Sequence, residues 1–198
     1  CVSIASNNKG GICLVRIFNN GQEYVYAGTV SSTGSVSVGS AAGGNGGWDT
    51  SVTVNQNRKT CKVVYNPDRD NFGMFVQGAS GNSGKMYVRC LTIAGTGVNN
   101  GSLVGLYNST IPPGGAMTYN SDKKCFCLVY REMNGNQTKL RTWTVDPTNV
   151  LAAVDGTDMQ VTTGASNAAT DYFGVDYNSG TKNAYVYIDI SAGMTMCE

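Results

Sequence analysis

Residues 185–193 read YVYIDISAG and residues 87–95 read YVRCLTIAG, keeping Tyr, Val, Ala and Gly at the same spacing. In the later stretch Tyr185, Tyr187 and Asp189 alternate with Val186, Ile188 and Ile190. In an extended chain this puts the aliphatic set on one face, as a core strand requires. Working outward, Asp70-Asn71-Phe72-Gly73 matches Asp171-Tyr172-Phe173-Gly174, and Cys13-Leu14-Val15 matches Cys127-Leu128-Val129. Turns at Asn20-Gly21 and Asn134-Gly135 follow, then Thr29-Val30 and Thr144-Val145. Matched blocks in one order predict an internal duplication.

Strand-like runs cover 12–18, 23–30, 35–38, 51–54, 61–65, 73–76 and 86–93, separated by NNG, GGNGG and NPDRDN turns. About seven short strands in roughly 95 residues read as a β-sandwich. The fold class expected is therefore all-β, as two tandem, internally duplicated sandwiches, Ig-like or jelly-roll-like, of about seven strands each. The first occupies 1–97, a connecting segment with an extra strand 98–116, and the second 117–198. Phe72 and Phe173 are expected in the cores, with glycines at positive φ at corners. Asp146-Pro147 followed by TNVLAAV and Gly156 carries helix start and stop signals, so a short helix is expected there.

Composition agrees with an all-β chain: among 198 residues are 26 Gly and 11 Tyr, and only 14% are charged. No apolar run approaches the roughly 18 residues of a membrane span. The chain begins at Cys1, which reads as a processed or excised segment. A net charge of +1 with no basic run longer than two residues offers nucleic acid no electrostatic footprint. GGNGG leads into Trp48 and a strand, so it is not a phosphate loop.

With no histidine, Ser-His and Cys-His nucleophiles and histidine metal sites are excluded. The chain is expected not to be an enzyme; the residual route is a two-carboxylate glycosidase using Glu23 and Glu132, with Tyr24, Tyr26, Trp48 and Trp143 as sugar platforms. Asn66, Asp68 and Asp70 resemble the start of a calcium loop that lacks its terminal Glu; Asp155 with Asp158 and Asp171 with Asp176 are looser clusters. No other cofactor is implied.

Seven cysteines without CxxC pairs read as disulfide formers, with Cys13, Cys61, Cys90, Cys125 and Cys127 as candidates. Sequons at Asn100, Asn108 and Asn136 agree with an extracellular or cell-surface setting.

If the strand around Leu103, Val104 and Leu106 completes the first domain, the second keeps an open edge, which another chain can fill. Val2 and Ile4 belong to the candidate donor strand, and Cys1 and Cys197 could meet across the joint. Residues 1–97 hold eight basic and four acidic side chains, the remainder six and nine, so the halves differ in sign. These features point to a structural subunit of an extracellular filament, surface layer or coat that joins copies of itself head to tail. The alternative is a secreted or cell-surface adhesin or carbohydrate-binding module, with glycans as partners of its Tyr and Trp faces or its Asn- and Gly-rich loops.

Overall fold

A computed structural model of the chain describes residues 2–17, 23–43, 60–77, 86–107, 114–132, 137–160, 172–190 and 193–197. Among the described residues every regular element is a strand, and the strands form four antiparallel sheets. The first sheet holds β1 (Val2–Ser6), β2 (Gly11–Ile17), β3 (Glu23–Val30), β4 (Val36–Val38) and β5 (Ala42–Gly43). The second holds β6 (Cys61–Asn66), β7 (Asn71–Gln77), β8 (Met86–Ala94), β9 (Gly97–Asn100) and β10 (Val104–Tyr107). The third is β11 (Ala116–Asn120), β12 (Cys125–Glu132), β13 (Gln137–Val145) and β14 (Ala153–Gln160). The fourth is β15 (Tyr172–Asn178), β16 (Asn183–Ile190) and β17 (Gly193–Cys197). None of these elements is a helix long and apolar enough to cross a membrane.

The sheets form a fan. Strand β1 lies against β6, β6 against β11, and β11 against β15, so the leading strands share one inner edge. Successive antiparallel sheets stacked around such an edge are the arrangement of β-propeller blades.

One local device builds three of the leading hairpins, and the first, where Asn7 Oδ1 accepts from Lys9 N, uses a shorter form of it. Asn66 pairs with Asn71, Asn120 with Cys125 and Asn178 with Asn183, each closing a turn of the same length. The asparagine carboxamide accepts a turn N–H in each: from Asp68, from Lys123, and from Gly180. The residue just before the second strand is left-handed every time, with φ of 79° at Gly10, 47° at Asp70, 52° at Lys124 and 62° at Lys182. Short polar side chains that bond their own backbone make such turns.

Alternation then sends each strand's two faces into different layers. Cys13, Val15, Ile17 and Val25 of the first sheet pack on Val63, Phe72, Met74 and Leu91 of the second. From the second sheet's other face, Phe75, Met86, Val88, Cys90 and Leu106 meet Met117, Phe126, Leu128, Tyr130 and Trp143 of the third. Phe126 and Trp143 stack with ring centroids 4.1 Å apart and planes 17° apart. A Cβ on Gly73 would come within 2.5 Å of Phe126 and 2.7 Å of Trp143. That glycine serves close approach, whereas Gly95, at φ 58°, turns a corner as expected of a glycine. Phe72 is buried, as expected; of the Phe173 side chain nothing is described.

Several expectations need correcting. A twofold duplication is not confirmed: the leading hairpin recurs in four sheets, and YVRCLTIA lies on β8, third in its sheet, while YVYIDI lies on β16, second in its sheet. The second core draws on residues from both sides of the segment 98–116. Strand β1 is no free donor, because it pairs with β2 from Val2↔Arg16 to Ser6↔Ile12. The edge of β16 is filled by β17, in register from Val186↔Cys197 to Ile190↔Gly193. Val104 lies in β10, which pairs with β8; Leu106 is buried and Leu103 packs on the first core.

The expected helix after Asp146 is a turn. Asp146 Oδ1 accepts from Thr148 N at 2.7 Å, Thr148 Oγ1 at 2.6 Å and Asn149 N at 3.0 Å. Neighbouring side chains occupy the carbonyls a helix would use. Arg69 Nη2 donates to Asp146 O at 3.1 Å and Pro147 O at 2.7 Å, and Asn71 Nδ2 to Val150 O at 2.6 Å. The run at 51–54 lies outside the described residues.

Two substitutions check the second core. Gly73→Ala overpacks the stack and is expected to cost about 1–3 kcal/mol, and Trp143→Ala about 3–5 kcal/mol. Gly105→Ala, whose methyl would meet only Tyr87 at 3.8 Å, is expected to stay within about 0.5 kcal/mol. Denaturant unfolding of the three variants reads the order, and equal costs for Gly73→Ala and Gly105→Ala would refute it.

Candidate functional site

Sheet-face parity settles which side chains the first sheet offers outward. Val2 pairs with Arg16 and Arg16 with Tyr24; Ile4 pairs with Leu14 and Leu14 with Tyr26; Ile12 pairs with Gly28 and Gly28 with Val38. Paired residues share a face, and the opposite face holds the buried Cys13, Val15 and Val25. The outward face is thus apolar, with two phenols and one guanidinium. Of the seven large hydrophobic side chains exposed among the described residues, five lie on it: Val2 at 61%, Ile4, Val30, Val36 and Val38. Contiguous exposure of this kind marks an interaction surface.

Between Val2, Leu14, Arg16, Tyr26 and Val38 the face sinks into a groove of about 510 Å³. Gly28 sets its depth, since a Cβ there would lie 2.6 Å from Ser37 O and 3.0 Å from Ile12. An apolar floor beside tyrosine rings suits the C–H face of a flat polar ligand, and Arg16 and the phenol hydroxyls can hydrogen-bond its rim. The alternation that makes this face was readable in ICLVRI and EYVYAG; its being left uncovered was not.

The expected catalytic pair does not assemble. Glu23 shares the inward parity of Val25 and points into the first core, where its Oε1 is cut off from solvent without a hydrogen-bond partner. Burial raises its pKa to about 7, with Arg89 of β8 pulling the other way. Glu132 lies on β12 of the third sheet, and its side chain is outside the described set. The second sheet lies between the strands that carry them. Trp143 is fully buried and is not a sugar platform, while Tyr24 and Tyr26 are half-exposed on the open face. Trp48 lies outside the described residues.

The suspected calcium loop is a joint between sheets. Asp70 accepts from Tyr65 Oη at 2.7 Å and pairs with Lys9 Nζ of the first sheet at 2.5 Å. Asp68 accepts from Tyr119 Oη of the third sheet at 2.7 Å, and Asn66 Oδ1 from Asp68 N at 3.0 Å. These oxygens diverge toward donors instead of converging on a point. Asp155 and Asp158 clamp Arg141, at 2.6 and 2.8 Å, and Tyr130 donates to Asp158 at 3.2 Å. The two carboxylates hold the partly buried guanidinium firmly charged. Asp176 accepts from the N–H of Tyr177; Asp171 lies outside the described residues. No three His, Cys, Asp or Glu gather to hold a metal ion among the described residues.

The disulfide expectation is also corrected. Cys13, Cys90, Cys125 and Cys127 are free, buried thiols, and Cys61 is buried. Cys13 and Cys61 lie in the first core and Cys90 in the second. Burial lifts the thiols of Cys13, Cys61 and Cys90 to about 12. Asn100 ends β9 and is exposed; Cys1, Asn108 and Asn136 lie outside the described residues, as does the Cys197 side chain.

No protein-family model matches the sequence, and no curated protein matches it. Solved structures do. The chain is similar to an exo-β-1,3-galactanase from Phanerochaete chrysosporium, in a variant with β-1,3-galactotriose, at TM-score 0.56 and 15% identity over 94% of this chain and 42% of the other. The galactose complex of that enzyme gives 0.55 and 14%, over 95% and 43%. The chain thus spans less than half the length of these structures. At such identity the likeness is one of fold. It overturns the expectation of a filament, layer or coat subunit, and with it the expectation that the chain is not an enzyme, since the shared fold is that of a galactanase.

Glu23 makes stability pH-dependent. Its folded pKa of about 7 lies above the roughly 4.3 of a free glutamate, so the folded chain holds a proton that the unfolded chain loses first. Stability is therefore full below pH 4.3, declines as pH rises toward about 7 and levels off above it, by about 4 kcal/mol at most. Glu23→Gln should flatten that decline; an unchanged slope in unfolding measured from pH 4 to 8 refutes it.

Proposed function

We propose that this chain is part of a carbohydrate-active protein and that the open face of its first sheet receives a saccharide. The observation that carries the reading is the juxtaposition, on one exposed sheet face, of Tyr24 and Tyr26 with Arg16 above an apolar groove. Support comes from the fold likeness to a galactanase solved with galactose and with β-1,3-galactotriose. Sugars present an apolar ring face edged by hydroxyls, and that face of the sheet offers the complement of both.

A neutral β-linked galactan is the first ligand to try, because the groove carries one cation and no carboxylate among its lining residues. Calorimetry with β-1,3-galactotriose, followed by a glycan array, tests the proposal. Binding should weaken at least tenfold in Tyr26→Ala, about 1.4 kcal/mol, and also in Arg16→Ala, with unfolding midpoints unchanged. Release of galactose from the same oligosaccharide reads whether the chain also cuts what it binds. Absence of binding to every glycan on the array, or full binding by Tyr26→Ala, refutes the assignment of this face.

A further inference from the structure

The rows of side chains that cross the open face of the first sheet are not alike. One row runs Val2, Arg16, Tyr24 and the next Ile4, Leu14, Tyr26, each set by the pairing of β1 with β2 and of β2 with β3. Tyr24 and Tyr26 stand on one face of β3, two residues and about 7 Å apart. Each phenol can therefore serve a different part of a short chain of sugars. Beside Tyr26 the row offers only aliphatic carbon. Directly opposite Tyr24 stands a guanidinium, at the Cβ separation of about 4.5–5.5 Å that paired residues keep.

Arg16 is exposed on this face and lines the groove. Sugar hydroxyls accept from it one hydrogen bond at a time. Its five N–H donors, however, lie in a fixed planar fork, which is matched by a group holding two charged acceptor oxygens side by side. A fork engaged by a protein neighbour through one donor still presents others to a ligand.

Charge around the face has the same sense. Residues 1–97 hold eight basic side chains and four acidic ones. Glu23 points into the first core. Asp70 is paired with Lys9, at the opposite end of β2 from Arg16, and Asp68 accepts from Tyr119 of the third sheet. Among the described residues the groove is lined by Arg16 and by no Asp or Glu. An anion nearing this face meets a field of favourable sign.

We propose that the saccharide held by this face is acidic: a β-linked galactose oligomer in which the unit beside Arg16 and Tyr24 carries an anionic substituent, a carboxylate or a sulfate ester, while its neighbour lies uncharged over Tyr26. This preference rests on the reading of the face as a saccharide site, and adds to it the sign and the position of a charge. The apolar row holds the sugar ring, and the fork of Arg16 selects the substituent.

The test is calorimetry of the full chain with three kinds of ligand. They are β-1,3-galactotriose, the same trisaccharide with the primary alcohol of one terminal unit oxidised to a carboxylate, and the corresponding sulfate ester, the last two prepared for each end. The better acidic isomer should bind at least about tenfold tighter than the neutral trisaccharide at low salt, and the advantage should shrink at high salt. A gain for the carboxylate alone, or for the sulfate alone, identifies the substituent, and either supports the proposal. Arg16→Gln should bring the ratio of acidic to neutral affinity to about one, and Arg16→Lys, which keeps the charge without the fork, should keep part of it. Tyr26→Ala should weaken both ligands alike and leave the ratio in place. Should the Arg16 variants fail to fold, the ratio and its salt dependence in the native chain decide. Equal affinity for neutral and acidic trisaccharides, or a preference that survives Arg16→Gln, overturns the acidic preference and leaves the saccharide reading standing. Binding of none of the trisaccharides overturns both.

Discussion

Trp143 lies on Phe126, and the pair rests on the bare backbone of Gly73. This contact sets the spacing between the second and third sheets. It can form only because the second sheet is apolar on both faces, sending Phe72 and Met74 one way and Phe75 the other. A sheet buried on both sides cannot be the outer wall of a sandwich, and from that follows the fan: one sheet in the middle, flanked on either side by another. The first sheet is covered by the second on its inward face and carries its remaining apolar area outward. The open face of the first sheet is thus a by-product of how the stack is ordered.

Charged hairpin ends reinforce the order of layers. Lys9 reaches Asp70, Asp68 receives Tyr119, and Arg69 and Asn71 hold the Asp146–Leu151 turn. Exposed ion pairs contribute little each, but these contacts pin register between layers that apolar packing alone would let slide. They also account for the acidic turn NPDRDN, whose carboxylates look like metal ligands in sequence and serve as acceptors for neighbouring sheets in the fold.

Much of the strand content was legible in the sequence, because alternation is a local property: Glu23–Val30 was bounded correctly, and Gly11–Ile17 and Met86–Ala94 to within a residue. Layer membership was not, because it depends on which face of a doubly apolar strand meets which neighbour. YVRCLTIAG and YVYIDISAG share a pattern since both are strands with neighbours on each side, not since they hold the same rank. The Asp146 turn misled for a related reason. Its helix signals are local, and the donors that unmake the helix, Arg69 and Asn71, come from another sheet. At the candidate site Tyr24 and Tyr26 were picked out by residue type, while Arg16, Leu14 and Gly28 needed the register. Arg89, the charge that tempers Glu23, gave no sign in sequence because strand alternation is silent about what lies opposite.

The joints between hairpins also have a direction. At two joints the turn of one sheet offers a carboxylate to the sheet that follows it, Asp68 to Tyr119 of the third and Asp122 to Lys182 of the fourth, whereas at the first joint the earlier turn offers a cation, Lys9, to Asp70. Each finished turn is therefore a waiting receptor for the segment that follows it in the chain. For a polypeptide emerging from its N-terminus, every new hairpin finds its anchor already formed, so vectorial synthesis and the geometry of the clasp run the same way.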